Sequence, residues 1–337
     1  MMNSPTPGSE RDGRRAASET PSEPAPGAQP GVAGPQRRSN RIRLIVNADD
    51  FGRNSSTNRA VERAHREGIL TSASLMVNER GAETAAEIAK RNPRLAVGLH
   101  VVLVCGRSAL KPSEIIGVVD QRFEFDRSAV RAGLKYFFNP PMRKHLQHEI
   151  DAQLREFRTL GLDLDHVNGH LNFHLHPTVF DIFRRHYYDW GITAMRLTRD
   201  PFMMNCRLAW GRYLYRASHA FIFNRLCARA EGSLIRRGIR HTDAVFGMLQ
   251  NDRITESYLL KLLDNLWPGD FELYCHPDEE AHAHETAALC SPRVREKIQE
   301  RGIELITYSD LDAPVPPPMP DSAGQEGAGG RRRRRSR

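Results

Sequence analysis

Acidic and imidazole side chains recur in this chain where short apolar runs end. Asp49 and Asp50 follow one apolar, strand-like run, His100 lies within another, and His170 and His276 each follow a further one. In a parallel α/β fold, ligand chemistry collects at the carboxyl ends of the strands. Two adjacent carboxylates at the end of a buried strand repel each other unless a cation or a proton separates their roles. The pattern therefore predicts one site assembled from distant parts of the chain.

One carboxylate and two imidazoles are typical ligands of a catalytic metal ion. Asp50, His100 and His170 would hold a divalent cation and leave coordination positions open for water and substrate. The cation lowers the pKa of a bound water, so that Asp49 can act as the general base. His276 would lie across the site, as the acid for the leaving group or as an oxyanion donor. The predicted reaction class is hydrolysis of an amide or an ester.

These residues also have other interpretations. The two aspartates could cap the following helix, and a histidine at a strand end is commonly a hydrogen-bonded structural residue. The segment Asp50–Gly52 spells the D-F-G of protein kinases, but the chain has neither an H-R-D loop nor a preceding G-x-G-x-x-G. A phosphodiesterase on the same metal site is a further alternative, although no arginine clamp is evident next to the motifs.

Strand-like and helix-like segments alternate along the chain. Six or seven apolar, β-branched runs separated by amphipathic stretches predict a parallel sheet, open or closed into a barrel. The runs are Leu44–Val46, Ser72–Val77, Leu95–Leu103, Asp165–Phe173, Ile192–Leu197, Phe271–Pro277 and Ile303–Leu311. Two stretches interrupt the alternation, Arg107–Asn139 and Asp200–Arg240. The second is rich in aromatic residues and arginine, and is either a helical excursion that packs on the sheet or a lid that faces an apolar substrate.

Composition separates two tails from a folded core. Residues 1–40 and 313–337 are rich in Pro, Gly, Ser and Arg without apolar periodicity, so we predict disordered tails around one folded domain over 41–312. Of 49 basic and 41 acidic residues, 11 basic and 6 acidic residues lie in these tails. The core is therefore nearly neutral, which argues against a nucleic-acid-binding domain. The run Arg331–Arg335 favours contact with an anionic membrane, with a solvated tail as the alternative.

The expected location of the protein is the cytoplasm. No stretch approaches about 18 consecutive apolar residues and the N-terminus lacks an apolar signal segment, so neither a membrane span nor a signal peptide is predicted. Five irregularly spaced cysteines without a C-x-x-C motif are typical of reduced thiols in a cytosolic protein. Together with the arginine run, these features predict peripheral contact with the inner membrane face. Nothing in the sequence indicates an oligomeric state.

Four motifs resemble those of the YdjC-like carbohydrate deacetylases, in matching order across residues 42–311. They are NADDFG (Asn47–Gly52), VGLHVVL (Val97–Leu103), DHVNGHLNFHLHP (Asp165–Pro177) and ELYCHP (Glu272–Pro277). The segments TSASLMV, VGLHVVLVCGR and VRAGLKYFF also resemble the hopanoid-biosynthesis-associated HpnK branch of that family. The resemblance implies a distorted (β/α) barrel of the glycoside hydrolase/deacetylase type, and removal of the acetyl group from an N-acetylated sugar.

The resemblance also implies a ligand set and a substrate. The family's divalent cation, commonly magnesium, would be bound by Asp50, His100 and His170, with Asp49 as the matching base. The two imidazoles taken alone would favour zinc. We therefore expect a deacetylase acting on the N-acetylglucosamine head group of a hopanoid lipid. A chitooligosaccharide deacetylase of the diacetylchitobiose type and a non-catalytic sugar- or lipid-binding barrel are the alternatives.

Overall fold

Seven parallel strands form one curled sheet at the centre of the protein. The structure, a computed structural model, describes residues 40–314. The strands are β1 Ile42–Phe51, β2 Ser72–Leu75, β3 Ala96–Val101, β4 Val167–Gly169, β5 Ala244–Phe246, β6 Gly269–Cys275 and β7 Glu304–Ile306. They lie in the order β4-β3-β2-β1-β6-β5, and β7 pairs with the first half of β1. Within the described range the regular strands thus form an open half-barrel with β4 and β5 at its edges.

Ten α-helices surround the sheet within the same residues. They are α1 Ser55–Glu67, α2 Ala82–Arg91, α3 Ala129–Phe138, α4 Met142–Thr159, α5 Pro177–His186, α6 Phe202–Leu208, α7 Tyr213–Arg236, α8 Glu256–Asn265, α9 Ala283–Leu289 and α10 Pro292–Glu300. The side chains of Asn54, Ser128, Thr255 and Ser291 accept hydrogen bonds from first-turn N–H groups of α1, α3, α8 and α10. These caps satisfy donors that have no partner inside the helix, and so they favour helices that begin there.

β1 is the centre of both the sheet and the core. It pairs with β2, β6 and β7, and Leu44, Ile45 and Val46 are fully buried. A strand that is covered on both faces has a continuous apolar sequence, so the predicted buried strand is confirmed here. The helix that follows, α1, turns Ala60 and Val61 toward this core.

The predicted α/β fold with a parallel sheet is confirmed, but Ile192–Leu197 is not a regular strand. This segment and the residues after it make isolated hydrogen bonds on two sides. The carbonyl of Ala194 accepts from the N–H of Val167 in β4 at 3.0 Å, and the carbonyl of Arg199 accepts from the N–H of Val245 in β5 at 2.9 Å. An irregular segment therefore spans the gap between the two edges of the sheet, which accounts for the distortion of the barrel.

The predicted interruptions of the alternation contain α3 in one case and α6 with α7 in the other. All five cysteines are free, in agreement with the prediction of reduced thiols. No helix within residues 40–314 is both long enough and apolar enough to cross a membrane. The predicted disorder of the two tails, including Arg331–Arg335, concerns sequence that lies almost entirely outside the described residues.

Candidate metal centre

Asp50, His100 and His170 converge at one end of the sheet, although they are far apart in the chain. One potential ligand atom from each lies within 4.8 Å of the others, and all three residues are buried. Asp50 is the penultimate residue of β1, His100 lies near the end of β3, and His170 directly follows β4. Because the strands are parallel, their carboxyl ends lie at the same end of the sheet, and this brings the three side chains together.

The carboxylate of Asp50 is the centre of this cluster. Its Oδ1 lies 3.0 Å from Nδ1 of His170 and 3.3 Å from Nε2 of His100. Successive residues of a strand point to opposite faces, yet Asp49 and Asp50 both line the same cavity. The reason is that Asp50 has a φ of 63°, in the left-handed region, where the pairing of β1 with β2 is also irregular. Backbone strain of this kind concentrates at functional sites.

The ring of His100 presents a nitrogen lone pair to Asp50. Its Nδ1 lies 2.7 Å from Oδ1 of Asn168, and because an amide oxygen only accepts, Nδ1 carries the proton. Asn168 is held in this orientation because its Nδ2 donates to Asp49 and to Ser74. The Nε2 of His100 is buried and has no hydrogen-bond partner among the described residues. In the neutral ring two acceptors, this Nε2 and Asp50 Oδ1, therefore face each other, and a proton or a metal cation between them would stabilise the arrangement.

The same groups set the electrostatics of the cluster. Burial acts to raise the pKa of Asp50, but the neighbouring His170 and His100 outweigh it and hold the pKa well below its usual range. Burial acts to lower the pKa of His100, but the carboxylates of Asp49 and Asp50 outweigh it and raise the pKa. A field that favours the protonated imidazole also favours a metal cation, so the donor set fits a divalent ion.

Asp49 is held in place by a buried arginine. Nη1 of Arg196 donates to Oδ2 of Asp49 at 2.7 Å, and Nη2 donates to Oδ1 at 2.8 Å. Oδ1 also accepts from Asn47 at 2.8 Å and from Asn168 at 3.2 Å, whereas no further donor from residues 40–314 reaches Oδ2. Oδ2 is therefore the oxygen with a lone pair available for a proton. Burial acts to raise the pKa of Asp49, but the charge of Arg196 outweighs it, and the lowered pKa keeps the carboxylate ionised at neutral pH.

Arg196 was not identified from the sequence. Its guanidinium is fully buried, donates to Glu272 at 2.6 Å as well as to Asp49, and lies 4.3 Å from the ring centroid of Tyr274. The one signal in the sequence was a charged residue inside the apolar run Ile192–Leu197. Because arginine is almost never fully buried without a partner, a charge in such a run indicates a buried ion pair.

His276 lines the same cavity. It follows β6 and contributes, with the four residues predicted beside it, to the wall of a cavity of about 790 Å³. Its Nδ1 lies 3.5 Å from Oδ1 of Asp252, close enough for the carboxylate to orient the ring. Its backbone N–H donates to Glu285 at 2.7 Å, which fixes the chain at this point. The structure thus brings all five residues predicted for the site to one cavity.

Much of the cavity wall is apolar. It is formed by side chains from α3, from the 3₁₀ helix His170–Leu175 and from α7: Ala129, Val130, Leu171, Phe173, Ile222 and Phe223. Farther along α7, Cys227, Ala230 and Leu234 are buried in the core. The stretch Asp200–Arg240 therefore combines the two roles that the sequence left open, because it both packs on the sheet and faces the cavity.

Comparison with known proteins shows relatives over most of the chain. A family model described as YdjC-like protein matches residues 43–300. A carbohydrate deacetylase of Geobacillus stearothermophilus is 29% identical over 79% of this chain and 97% of its own. A carbohydrate deacetylase of Mus musculus is 30% identical over 82% of this chain and 97% of its own. A chitooligosaccharide deacetylase of Salmonella paratyphi B is 26% identical, over 81% and 93% respectively.

A solved structure shares the fold. This crystal structure from Enterococcus faecalis, named provisionally for cellobiose-phosphate cleavage, gives a TM-score of 0.61 at 23% identity, and covers 80% of this chain and 98% of its own. The two proteins therefore share the α/β architecture. The family match contains all four motifs and every residue of the candidate site. The chain therefore belongs to the YdjC-like protein family.

Proposed function

We propose that the protein is a metal-dependent deacetylase that hydrolyses the N-acetyl group of an N-acetylglucosamine-type sugar. The observation that carries the proposal is the buried Nε2 of His100, which has no hydrogen-bond partner within residues 40–314 and faces Asp50, next to His170 and to the anchored carboxylate of Asp49. Relatives named carbohydrate deacetylase and chitooligosaccharide deacetylase support this reaction class.

In this scheme Asp50, His100 and His170 hold a divalent cation, which when bound polarises the acetyl carbonyl and acidifies a water molecule. Asp49 takes the proton of the attacking water through Oδ2. The water oxygen forms the new bond to the acetyl carbon, and the bond between that carbon and the sugar nitrogen breaks. His276 gives a proton to the departing nitrogen. The products are acetate and a free amino sugar.

Two arguments bear on the metal, and they favour different ions. Two imidazole nitrogens and one carboxylate oxygen form a donor set that suits zinc. The family resemblance implies magnesium. Metal analysis of the protein as purified, followed by removal of the metal and addition of each ion in turn, separates the two. The ion that restores acetate release at the lower concentration is the better candidate.

We propose further that the sugar is the head group of a hopanoid lipid, as in the HpnK branch. The segments Thr71–Val77 and Val130–Phe138 resemble that branch in their sequence. Apolar side chains in the cavity wall, such as Phe173 and Ile222, suit the lipid end of such a substrate better than a fully hydroxylated sugar chain. A soluble chitooligosaccharide such as diacetylchitobiose is the alternative substrate, and the relative from Salmonella paratyphi B supports it.

We also propose that residues 41–312 form the catalytic domain, and that the protein works in the cytoplasm at the inner membrane face. The run Arg331–Arg335, which lies outside the described residues, would attract anionic lipid by about 1 kcal/mol for each arginine near the surface. Salt screens such an attraction, so the contribution of the tail falls as ionic strength rises.

Acetate release by the purified full-length protein tests the function. We expect release from diacetylchitobiose or from an N-acetylglucosaminyl hopanoid, and the faster substrate identifies the branch. A chelator should abolish acetate release from either substrate. Asp49→Asn should retain the metal but lose about 100-fold or more of the activity. Metal binding without acetate release from either substrate would favour a non-catalytic barrel, and loss of metal from Asp49→Asn would contradict the role of Asp49 as the base.

A further inference from the structure

Exposed apolar side chains border the mouth of the cavity. Val130 of α3, Leu171 of the 3₁₀ helix and Ile222 of α7 all line the cavity, yet they are 73%, 48% and 51% exposed. Scattered apolar residues on a protein surface are ordinary, whereas several of them around one opening mark an interaction surface. The opening is therefore the first place to look for a partner.

α3 extends this apolar character away from the mouth. Val130, Leu134, Phe137 and Phe138 are spaced so that they share one face of the helix. Leu134 and Phe137 are 55% and 54% exposed, and Phe138 is 73% exposed. The other face buries Tyr136 against the core. The helix thus has two apolar faces, and one of them remains open to solvent.

The N-terminal half of α7 has the same two-sided character. Its inward side contributes Tyr215 and Ile222 to the cavity wall. Leu214 and Phe221, seven residues apart and on one face, are 89% and 62% exposed. Trp210, just before the helix, is 91% exposed and packs edge-to-face on a neighbouring tyrosine. Tryptophan is enriched where a protein meets the membrane–water interface, so this exposed ring suits such an environment.

The charges along these helices are almost all positive. The sequence from Phe202 to Gly238 contains seven arginines, of which Arg216 is buried, and a single acidic residue, Glu231, which pairs with Arg199. α3 contains Lys135 and Arg131, the second of which pairs with Asp126 in the loop before the helix. Apolar side chains flanked by more basic than acidic residues are complementary to an anionic lipid surface.

We propose that α3 and the N-terminal half of α7 form a docking surface that seats the mouth of the cavity on an anionic lipid bilayer. Docking is peripheral: Phe138, Trp210 and Leu214 enter the headgroup region, and no helix within residues 40–314 could span the bilayer. This inference rests on the proposed function, because a lipid-linked N-acetyl sugar would present its head group at that surface. The sugar then reaches Asp49 while its lipid stays in the membrane.

Vesicle sedimentation of the full-length protein tests docking independently of catalysis. We expect binding to phosphatidylcholine vesicles that contain phosphatidylglycerol, and about tenfold or more weaker binding by Phe138→Ser/Leu214→Ser. Tyr188→Ser is the matched control, because Tyr188 is 69% exposed but contacts Arg237 at the C-terminal end of α7, outside the proposed docking surface. High salt screens the C-terminal arginines, so the comparison is made at low and at high salt. Equal binding by the double variant and the wild type in both conditions would overturn the proposal.

Tryptophan fluorescence gives a second measurement. Lipids with brominated acyl chains should quench Trp210, and the quenching should disappear in Trp210→Phe, because Trp190 is only 5% exposed. Trp267, which lies in the loop before β6 and is 41% exposed, should not be quenched. If Trp210 is instead shielded by dimerisation in the absence of vesicles, the surface binds a second copy of the chain and the bilayer proposal is wrong.

Turnover distinguishes a failure of docking from a failure of the proposed function. Phe138→Ser/Leu214→Ser should keep the wild-type rate on soluble diacetylchitobiose, since neither residue lines the cavity. On an N-acetylglucosaminyl lipid embedded in vesicles it should lose about tenfold, in parallel with its weaker binding. Normal turnover of the embedded lipid by this variant would contradict the docking surface. Absence of acetate release by both proteins would contradict the function alone, because sedimentation still decides the docking.

Discussion

Arg196 binds both carboxylate oxygens of Asp49, at 2.7 and 2.8 Å, and both side chains are buried. Asp49 comes from β1, the most central strand, whereas Arg196 comes from the irregular segment between the edges of the sheet. A guanidinium that donates two parallel bonds fixes the plane of a carboxylate as well as its position. The ion pair therefore aims Oδ2 of the candidate base, and it also anchors the least regular part of the barrel.

Arg196→Lys should lower kcat about tenfold or more while metal binding persists. Lysine keeps the positive charge, but a single ammonium group cannot donate to both oxygens of Asp49 and also to Glu272, so the carboxylate loses its fixed orientation. Acetate release and metal content are measured on the same samples. Arg199→Lys is the matched control, because Arg199 pairs with Glu231 and does not line the cavity. Loss of the metal from Arg196→Lys would show that Arg196 supports the whole site and not only Asp49.

Asn168→Ala should weaken metal binding about tenfold to 100-fold. Oδ1 of Asn168 accepts a hydrogen bond from Nδ1 of His100 at 2.7 Å, which keeps Nε2 directed at Asp50. Without the amide, the imidazole can rotate or change its tautomer. Competition with a metal-binding dye measures the affinity, and Asn265→Ala, an exposed position on α8, is the control. An unchanged affinity in Asn168→Ala would contradict the role of Asn168 in orienting His100.

Most of the sheet could be predicted because its strands are buried on both faces and therefore have continuous apolar sequences. β1, β3 and β6 were predicted for this reason. β5 was missed because it has only three residues, Ala244–Phe246, and follows a polar segment. Ile192–Leu197 was wrongly predicted as a regular strand, because its apolar residues fill the gap in the sheet through isolated bridges. The apolar composition of such a segment indicates that it is buried, but it does not indicate which hydrogen bonds its backbone makes.

The convergence of the candidate metal ligands could be predicted from the sequence, but the residues that orient them could not. Asp50, His100 and His170 stand at strand ends, and the parallel topology alone brings such positions together. The partners of these residues depend on contacts between distant segments. Arg196 reaches Asp49 across 147 positions of sequence, and no local pattern encodes that pairing. The left-handed backbone conformation of Asp50 could not be predicted either, because an aspartate does not by itself indicate that conformation.

Asp200→Asn should become more stable relative to the wild type as pH rises. Burial raises the pKa of Asp200 to about 7 from its ordinary 3.8, and hydrogen bonds from Leu249 and Asn205 offset only part of this. Between these two values the folded state keeps a proton that the unfolded state releases, so the stability of the wild type falls as pH rises and stays lower above about 7. The neutral amide removes this dependence.

Denaturant unfolding measures the effect for both proteins. From about pH 5 to about pH 8 the difference in free energy of unfolding should move in favour of Asp200→Asn by about 2 to 3 kcal/mol, because about two pH units of this window lie below the raised pKa. Asn can accept only one of the two hydrogen bonds that Asp200 accepts, so the variant is expected to be the less stable protein at the acidic end. A difference that does not change with pH would mean that Asp200 titrates at an ordinary pKa.

His276→Gln separates the two roles that remain open for His276. If the ring protonates the departing amine, hydrolysis of an N-acetyl sugar should fall about 100-fold or more. The leaving group of an aryl ester such as para-nitrophenyl acetate is a stable phenolate, which needs no proton. Hydrolysis of this ester by His276→Gln should therefore fall by less than about tenfold. If His276 is instead an oxyanion donor, its loss should slow the hydrolysis of both substrates equally, because the same negative charge develops on the carbonyl oxygen of each. Asp252→Asn, which removes the carboxylate 3.5 Å from Nδ1, should repeat the selective loss on the amide to a smaller degree, since only the orientation of the ring is disturbed.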